Sequence, residues 1–139
     1  MILKRLKLTN LLGDITNCYI LTDEETKETM VIDPANELDK ISQMLDLLQA
    51  KLKYIYITHC HIDHIGAVKE LKEKYGGKIL SHRIEAENLK NPTTILTTYW
   101  GMQDLTIDVD ARVDDEDILH LGKTEFKVIF TPGHTSRRK

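Results

Sequence analysis

Residues 58–66 read Thr58-His59-Cys60-His61-Ile62-Asp63-His64-Ile65-Gly66 and hold three of the six histidines in a chain of 139 residues. The pattern is His-x-His-x-Asp-His. It follows Lys53–Thr58, where Tyr54, Ile55, Tyr56 and Ile57 stand in a row. Apolar residues on both faces predict a central strand covered on both sides. Beyond the motif, Ile65, Val68, Leu71 and Tyr75 recur at steps of three or four. That spacing predicts a helix from about His64 to Tyr75, closed by Gly76-Gly77. The end of a central strand is where α/β sheets place their sites. Imidazole and carboxylate are ligands for zinc and other first-row metals. In an extended segment, residues two apart share a side, so His59, His61 and Asp63 are expected to converge while Cys60 and Ile62 face away. His64 stands where the chain turns into the helix and approaches from another direction. Four donors in two groups suit two adjacent ions better than one tetrahedral ion. A structural zinc site is usually closed and rich in Cys, and no Cys-x-x-Cys pair exists here.

Outward from this stretch, strands and helices alternate. Met1–Leu8, Thr16–Thr22 and Thr29–Asp33 are expected to be strands of a small antiparallel meander, the last stopped by Pro34, which has no amide proton for a ladder. Leu38, Ile41, Leu45, Leu48 and Leu52 form a stripe that predicts a helix near Glu37–Lys51. Lys78–Ser81 reads as a short strand. Segments 82–90 and 94–102 read as helical, with a break at Asn91-Pro92. Residues Asp108–Asp117 carry six acids without the spacing or the Gly of a calcium loop, and read as a solvated loop. Ile118–Leu121 and Thr124–Thr131 read as a hairpin around Gly122. Together these predict a single α/β domain over 1–139 with a mixed sheet and flanking helices.

Composition narrows the function classes. Acids outnumber Lys and Arg by 22 to 19, so the net charge is −3. Nothing in that balance favours a nucleic-acid binder driven by charge, although Arg137-Arg138-Lys139 is a small basic tail. No stretch approaches the ~18 apolar residues of a membrane span, so no membrane partner is expected. The first ten residues lack a signal-peptide core, and Cys18 and Cys60 make no disulfide framework. The expected location is the cytoplasm. Cys18 reads as core, and Cys60 as a packed or partly reactive thiol. A further ligand is needed for an open three-ligand site, and His134 in Thr131-Pro132-Gly133-His134-Thr135 is the best placed, in a tight turn after a strand. His82 reads as a helix-start or edge residue and His120 as a solvent-facing strand position.

With these residues in hand, the chain resembles the metallo-β-lactamase superfamily, in its glyoxalase II-like hydrolase branch. Four landmarks carry the resemblance in order: Asn17-Cys18-Tyr19-Ile20-Leu21, Val31-Ile32-Asp33-Pro34, the 58–66 motif, and Thr131-Pro132-Gly133-His134-Thr135. Asp117-Ile118-Leu119-His120-Leu121-Gly122 fits the lead-in to the last. The resemblance implies that His59, His61 and His134 hold a first zinc and that Asp63 and His64 belong to a second, with iron or manganese as alternative ions. It implies that Asp63 also orients the nucleophile, and that Asp33 supports the metal loop, a role that stands beside a plain strand-ending turn acid. The implied reaction is attack of metal-activated hydroxide on a small-molecule thioester or related carbonyl, as in a hydroxyacylglutathione hydrolase.

The resemblance also carries a departure. Members of this kind continue past the Thr-Pro-Gly-His-Thr turn and draw a bridging Asp and a final His from that later part. This sequence ends at Ser136-Arg137-Arg138-Lys139. The expectation is therefore the N-terminal portion of an αβ/βα sandwich with its second half largely missing. One ion would be held through His59, His61 and His134, with a weak second site and impaired catalysis. Half a sandwich leaves an apolar sheet face uncovered, which predicts a homodimer or domain swap. Three other readings stay open: a non-catalytic metal-binding fragment, a one-iron persulfide dioxygenase-like protein and, against the net charge of −3, a nucleic-acid-processing relative.

Overall fold

A computed structural model describes residues 1–59, 62–89 and 107–129, with 62, 63, 87 and 88 described as backbone only. Eight strands and four helices lie among the described residues: β1 Ile2–Thr9, β2 Ile15–Thr22, β3 Glu28–Ile32, α1 Leu38–Leu48, β4 Lys51–Ile57, α2 Ile62–Ile65, α3 Val68–Tyr75, β5 Lys78–His82, α4 Arg83–Asn88, β6 Ala111–Val113, β7 Ile118–Leu121 and β8 Thr124–Lys127. β1 to β6 form one sheet in chain order, and β7 and β8 form a separate hairpin. β1, β2 and β3 pair antiparallel, while β3 to β6 run parallel. This is the mixed α/β sheet expected, with its parallel strands ending on one edge.

Each face of the sheet has its own cover. Cys18, Ile20, Val31, Ile55, Ile57 and Ile79 pack in one cluster with Ile41 and Leu45 of α1 and Val68 and Leu71 of α3. Met30, Leu80 and Val113 pack in a second cluster with Leu119, Leu121 and Val128 from the hairpin segment. The expected bare face is thus covered in part: Met30 and Leu80 are buried, and Leu21, Ile32, Tyr54 and Tyr56 are half-buried around them. A clasp fixes the hairpin there. The Glu28 carboxylate accepts from Gly122 N at 2.7 Å, and Lys53 Nζ donates to His120 O at 2.9 Å. The Gly122 amide first, and then Lys53, hold the Glu28 carboxyl below its usual range. Gly122 sits at φ 58°, and a Cβ there would lie 2.4 Å from Asp23 Oδ2, so both the turn and the space call for glycine.

Three segments differ from the sequence reading. α1 stops at Leu48, because Gln49 adopts a left-handed conformation and its N–H and that of Ala50 return to Asp46 O and Leu45 O. That frees Lys51 to start β4. The helix expected over His64–Tyr75 is two helices, α2 and α3, split at Gly66 and Ala67. The Ala67 N–H donates to Pro34 O at 2.9 Å. Within the acidic stretch 108–117, Ala111–Val113 is a strand, paired with Leu80–His82. The acids beside it hold it in place: Asp110 accepts from Ile79 N and Lys72 Nζ, and Asp117 accepts from Asp114 N. The expected helix 94–102 lies outside the described residues.

Candidate metal centre

β3 and β4 end side by side, and the site starts there. Asp33 is the first residue beyond β3. It takes the left-handed conformation, φ 56°, which Asp tolerates better than most residues. Its N–H still donates to Tyr56 O at 2.9 Å, so the turn begins while the backbone is held to β4. The carboxylate then accepts from Thr58 N at 2.8 Å through Oδ1, and from Thr58 Oγ1 and His64 Nδ1, the latter at 3.0 Å, through Oδ2. Thr58 Oγ1 also lies 3.0 Å from His59 Nδ1. Asp33 and His59 are only 5% and 9% exposed.

The loop after β3 grips the motif at three successive residues. Asp33 holds Thr58 and His64. Pro34 O accepts from Ala67 N. Ala35 O packs against Gly66 so closely that a Cβ on Gly66 would come within 2.1 Å of it. This grip turns the chain into α2 and brings His59 and His64 together, with ring centroids 4.9 Å apart. Donor atoms of Asp33, His59 and His64 all lie within 4.8 Å of one another. Two imidazoles and a carboxylate at the strand ends are a donor set that suits zinc or iron. The proton positions follow from the partners. A carboxylate only accepts, so His64 presents Nδ1–H to Asp33, and the neutral ring then has its lone pair on Nε2.

His59, His64 and Asp33 are brought together. Asp63 lies in α2, whose helical backbone begins at Ile62, so the extended alternation expected through Asp63 stops short of it. His61, Cys60 and His134 lie outside the described residues. His82 ends β5, with its Nδ1 accepting from Ile84 N at the start of α4 and its Nε2 3.4 Å from Asp115 Oδ1. His120 is exposed on β7, 3.3 Å from Glu125. Cys18 is fully buried, and burial, then the Asp33 charge, push its thiol far up. It stays protonated and takes no part as a nucleophile. Burial, then Asp33, push the Tyr56 phenol up in the same way. Thr58 and Gly66 are the site residues whose parts the motif spacing does not announce. A hydroxyl directly ahead of the first motif histidine was the available signal for Thr58.

Fold and site together define an α/β domain with imidazole and carboxylate donors gathered at the C-terminal ends of neighbouring strands. The chain belongs to the metallo-beta-lactamase superfamily, whose family model matches residues 11–136. It is 33% identical over 117 residues to a hydroxyacylglutathione hydrolase of Pelagibacter ubique (strain HTCC1062), covering 84% of this chain and 41% of that protein. It is 29% identical over 119 residues to a probable polyketide biosynthesis zinc-dependent hydrolase, PksB, of Bacillus subtilis (strain 168), covering 86% of this chain and 47% of that one. Among solved structures, the BLEG-1 B3 metallo-beta-lactamase superposes with a TM-score of 0.79 at 27% identity, over 96% of this chain and 63% of that one. The chain therefore spans about two-fifths to a half of the length of these two curated relatives. Among the described residues no helix is long and apolar enough to cross a membrane.

Proposed function

We propose that this chain carries the metal-binding half of a zinc-dependent hydrolase acting on a thioester of the acylated glutathione kind. The observation that carries the reading is the cluster of Asp33, His59 and His64, in which one buried carboxylate organises two imidazoles. The likeness to a hydroxyacylglutathione hydrolase supports the substrate class. His59 is assigned to a first ion through Nε2, with His61 and His134 by their places in the motifs, and His64 through Nε2 to a weaker second ion with Asp63. Asp33 is assigned as the support that orients the rings, because its oxygens already accept three hydrogen bonds.

A bound zinc ion supplies Lewis acidity and makes water acidic enough to act as hydroxide near neutral pH. The chain's residues supply the rest. Asp33 holds His64 in one tautomer, and its grip on Thr58 fixes the backbone from which His59 projects. Asp63 is assigned to orient the attacking water. Cys18 is excluded as a nucleophile by its burial.

The test is a thioesterase assay on the zinc-loaded chain with an acylated glutathione, following loss of the thioester absorbance. Slow turnover that needs zinc and stops with a chelator is expected. Zinc bound at full occupancy with no thioester cleavage would overturn the catalytic reading and leave a metal-binding fragment.

A further inference from the structure

The structure assigns a positioning role to Thr58: its hydroxyl relays the Asp33 carboxylate to His59, so that one acid fixes the tautomer of both imidazoles. Asp33 Oδ2 lies at hydrogen-bond distance from Thr58 Oγ1, and a carboxylate offers no proton. The single hydroxyl proton of Thr58 therefore points at Asp33. Thr58 Oγ1 is left with lone pairs only, and its second neighbour is His59 Nδ1 at 3.0 Å. That contact is a hydrogen bond only if Nδ1 carries the proton. His59 then holds its lone pair on Nε2. His64 reaches the same state directly, through Nδ1 and Asp33 Oδ2 at 3.0 Å. The two rings, five residues apart in sequence, are matched by one buried group on a different strand end.

The hydroxyl and the backbone of Thr58 have separable tasks. Its N–H donates to Asp33 Oδ1 at 2.8 Å and anchors the loop whatever the side chain is. Thr58→Val keeps that anchor and nearly the same shape, and removes only the relay. Thr58→Ser keeps the hydroxyl. Partners one step removed from a metal characteristically tune its affinity by about 10–100-fold. The consequence for metal affinity rests on the ligand role proposed for His59; the tautomer itself does not.

Nitrogen-15 NMR of the histidine-labelled 139-residue chain, read at a pH where the rings are neutral, tests this directly. The zinc-free protein should show His59 protonated at Nδ1, Thr58→Ser should show the same, and Thr58→Val should shift His59 toward the Nε2–H form or a mixture. Zinc affinity, measured by competition with a chromophoric chelator, should fall about tenfold or more in Thr58→Val and recover in Thr58→Ser. His59 protonated at Nε2 in the unaltered chain overturns the proposal without any variant being made, as does a Thr58→Val chain with an unchanged tautomer. Nδ1 protonation in a chain that takes up no zinc would leave the relay standing and remove the metal-binding reading instead.

Discussion

Asp33→Ala should lower the unfolding free energy by about 4 kcal/mol, because three donors lose their acceptor in a buried place. Those donors are Thr58 N–H, Thr58 Oγ1–H and His64 Nδ1–H. Water cannot easily replace the carboxylate, since Asp33 is 5% exposed. Alanine gains nothing in return, because it must also adopt φ 56°, where a side chain without a polar group to bond locally is strained by about 1–2 kcal/mol. Asp33→Asn keeps the shape and one acceptor oxygen, and should lose about half as much. Urea unfolding of the two variants beside the unaltered chain measures the difference. A loss under ~1 kcal/mol for Asp33→Ala would mean that the carboxylate does not organise the end of β4.

Gly66→Ala should cost about 3 kcal/mol, the upper end of ordinary overpacking. The added Cβ would sit 2.1 Å from Ala35 O and 3.1 Å from Ala35 C, with Leu11 Cγ at 3.0 Å on another side. The leucine tip can turn away. The carbonyl cannot move freely, because its peptide is continuous with Pro34, whose oxygen holds Ala67 N at 2.9 Å. Relief therefore requires the loop 33–35 and the α2–α3 junction to part, which loosens the grip on His64. A fall in melting temperature of about 10 °C is expected by circular dichroism. A melt like that of the unaltered chain would show that these two backbones are not locked together.

The sequence reveals the parts of the fold that repeat. β4 is legible because Tyr54, Ile55, Tyr56 and Ile57 fill both faces of a strand, and α1 because its apolar residues keep one stripe. β6 is not legible. Three residues in an acidic stretch show no period, and what makes them a strand is backbone pairing with β5 and the anchoring of Asp110 on Ile79. The split between α2 and α3 is hidden for a similar reason. The stripe of Ile65, Val68 and Leu71 runs straight across it, while the cause lies in Pro34 and Ala35, some thirty residues earlier. At the site, the motif spacing identifies His59 and His64 as chemically special, and Val31-Ile32-Asp33-Pro34 singles out Asp33. How these residues meet was beyond reach. Local alternation separates His59 from His64, and only the long-range grip of the loop after β3 brings the rings to 4.9 Å.

Zinc titration of the 139-residue chain, alongside His59→Ala and His64→Ala, bears most directly on the assignment of a metal centre at these strand ends. The unaltered chain should take up at least one zinc; His59→Ala should bind that first ion about 100-fold or more weakly, and His64→Ala should lose the weaker second ion, each variant keeping its fold. A chain that takes up no zinc, or a His59→Ala chain that binds it as tightly as the unaltered protein, would contradict the assignment.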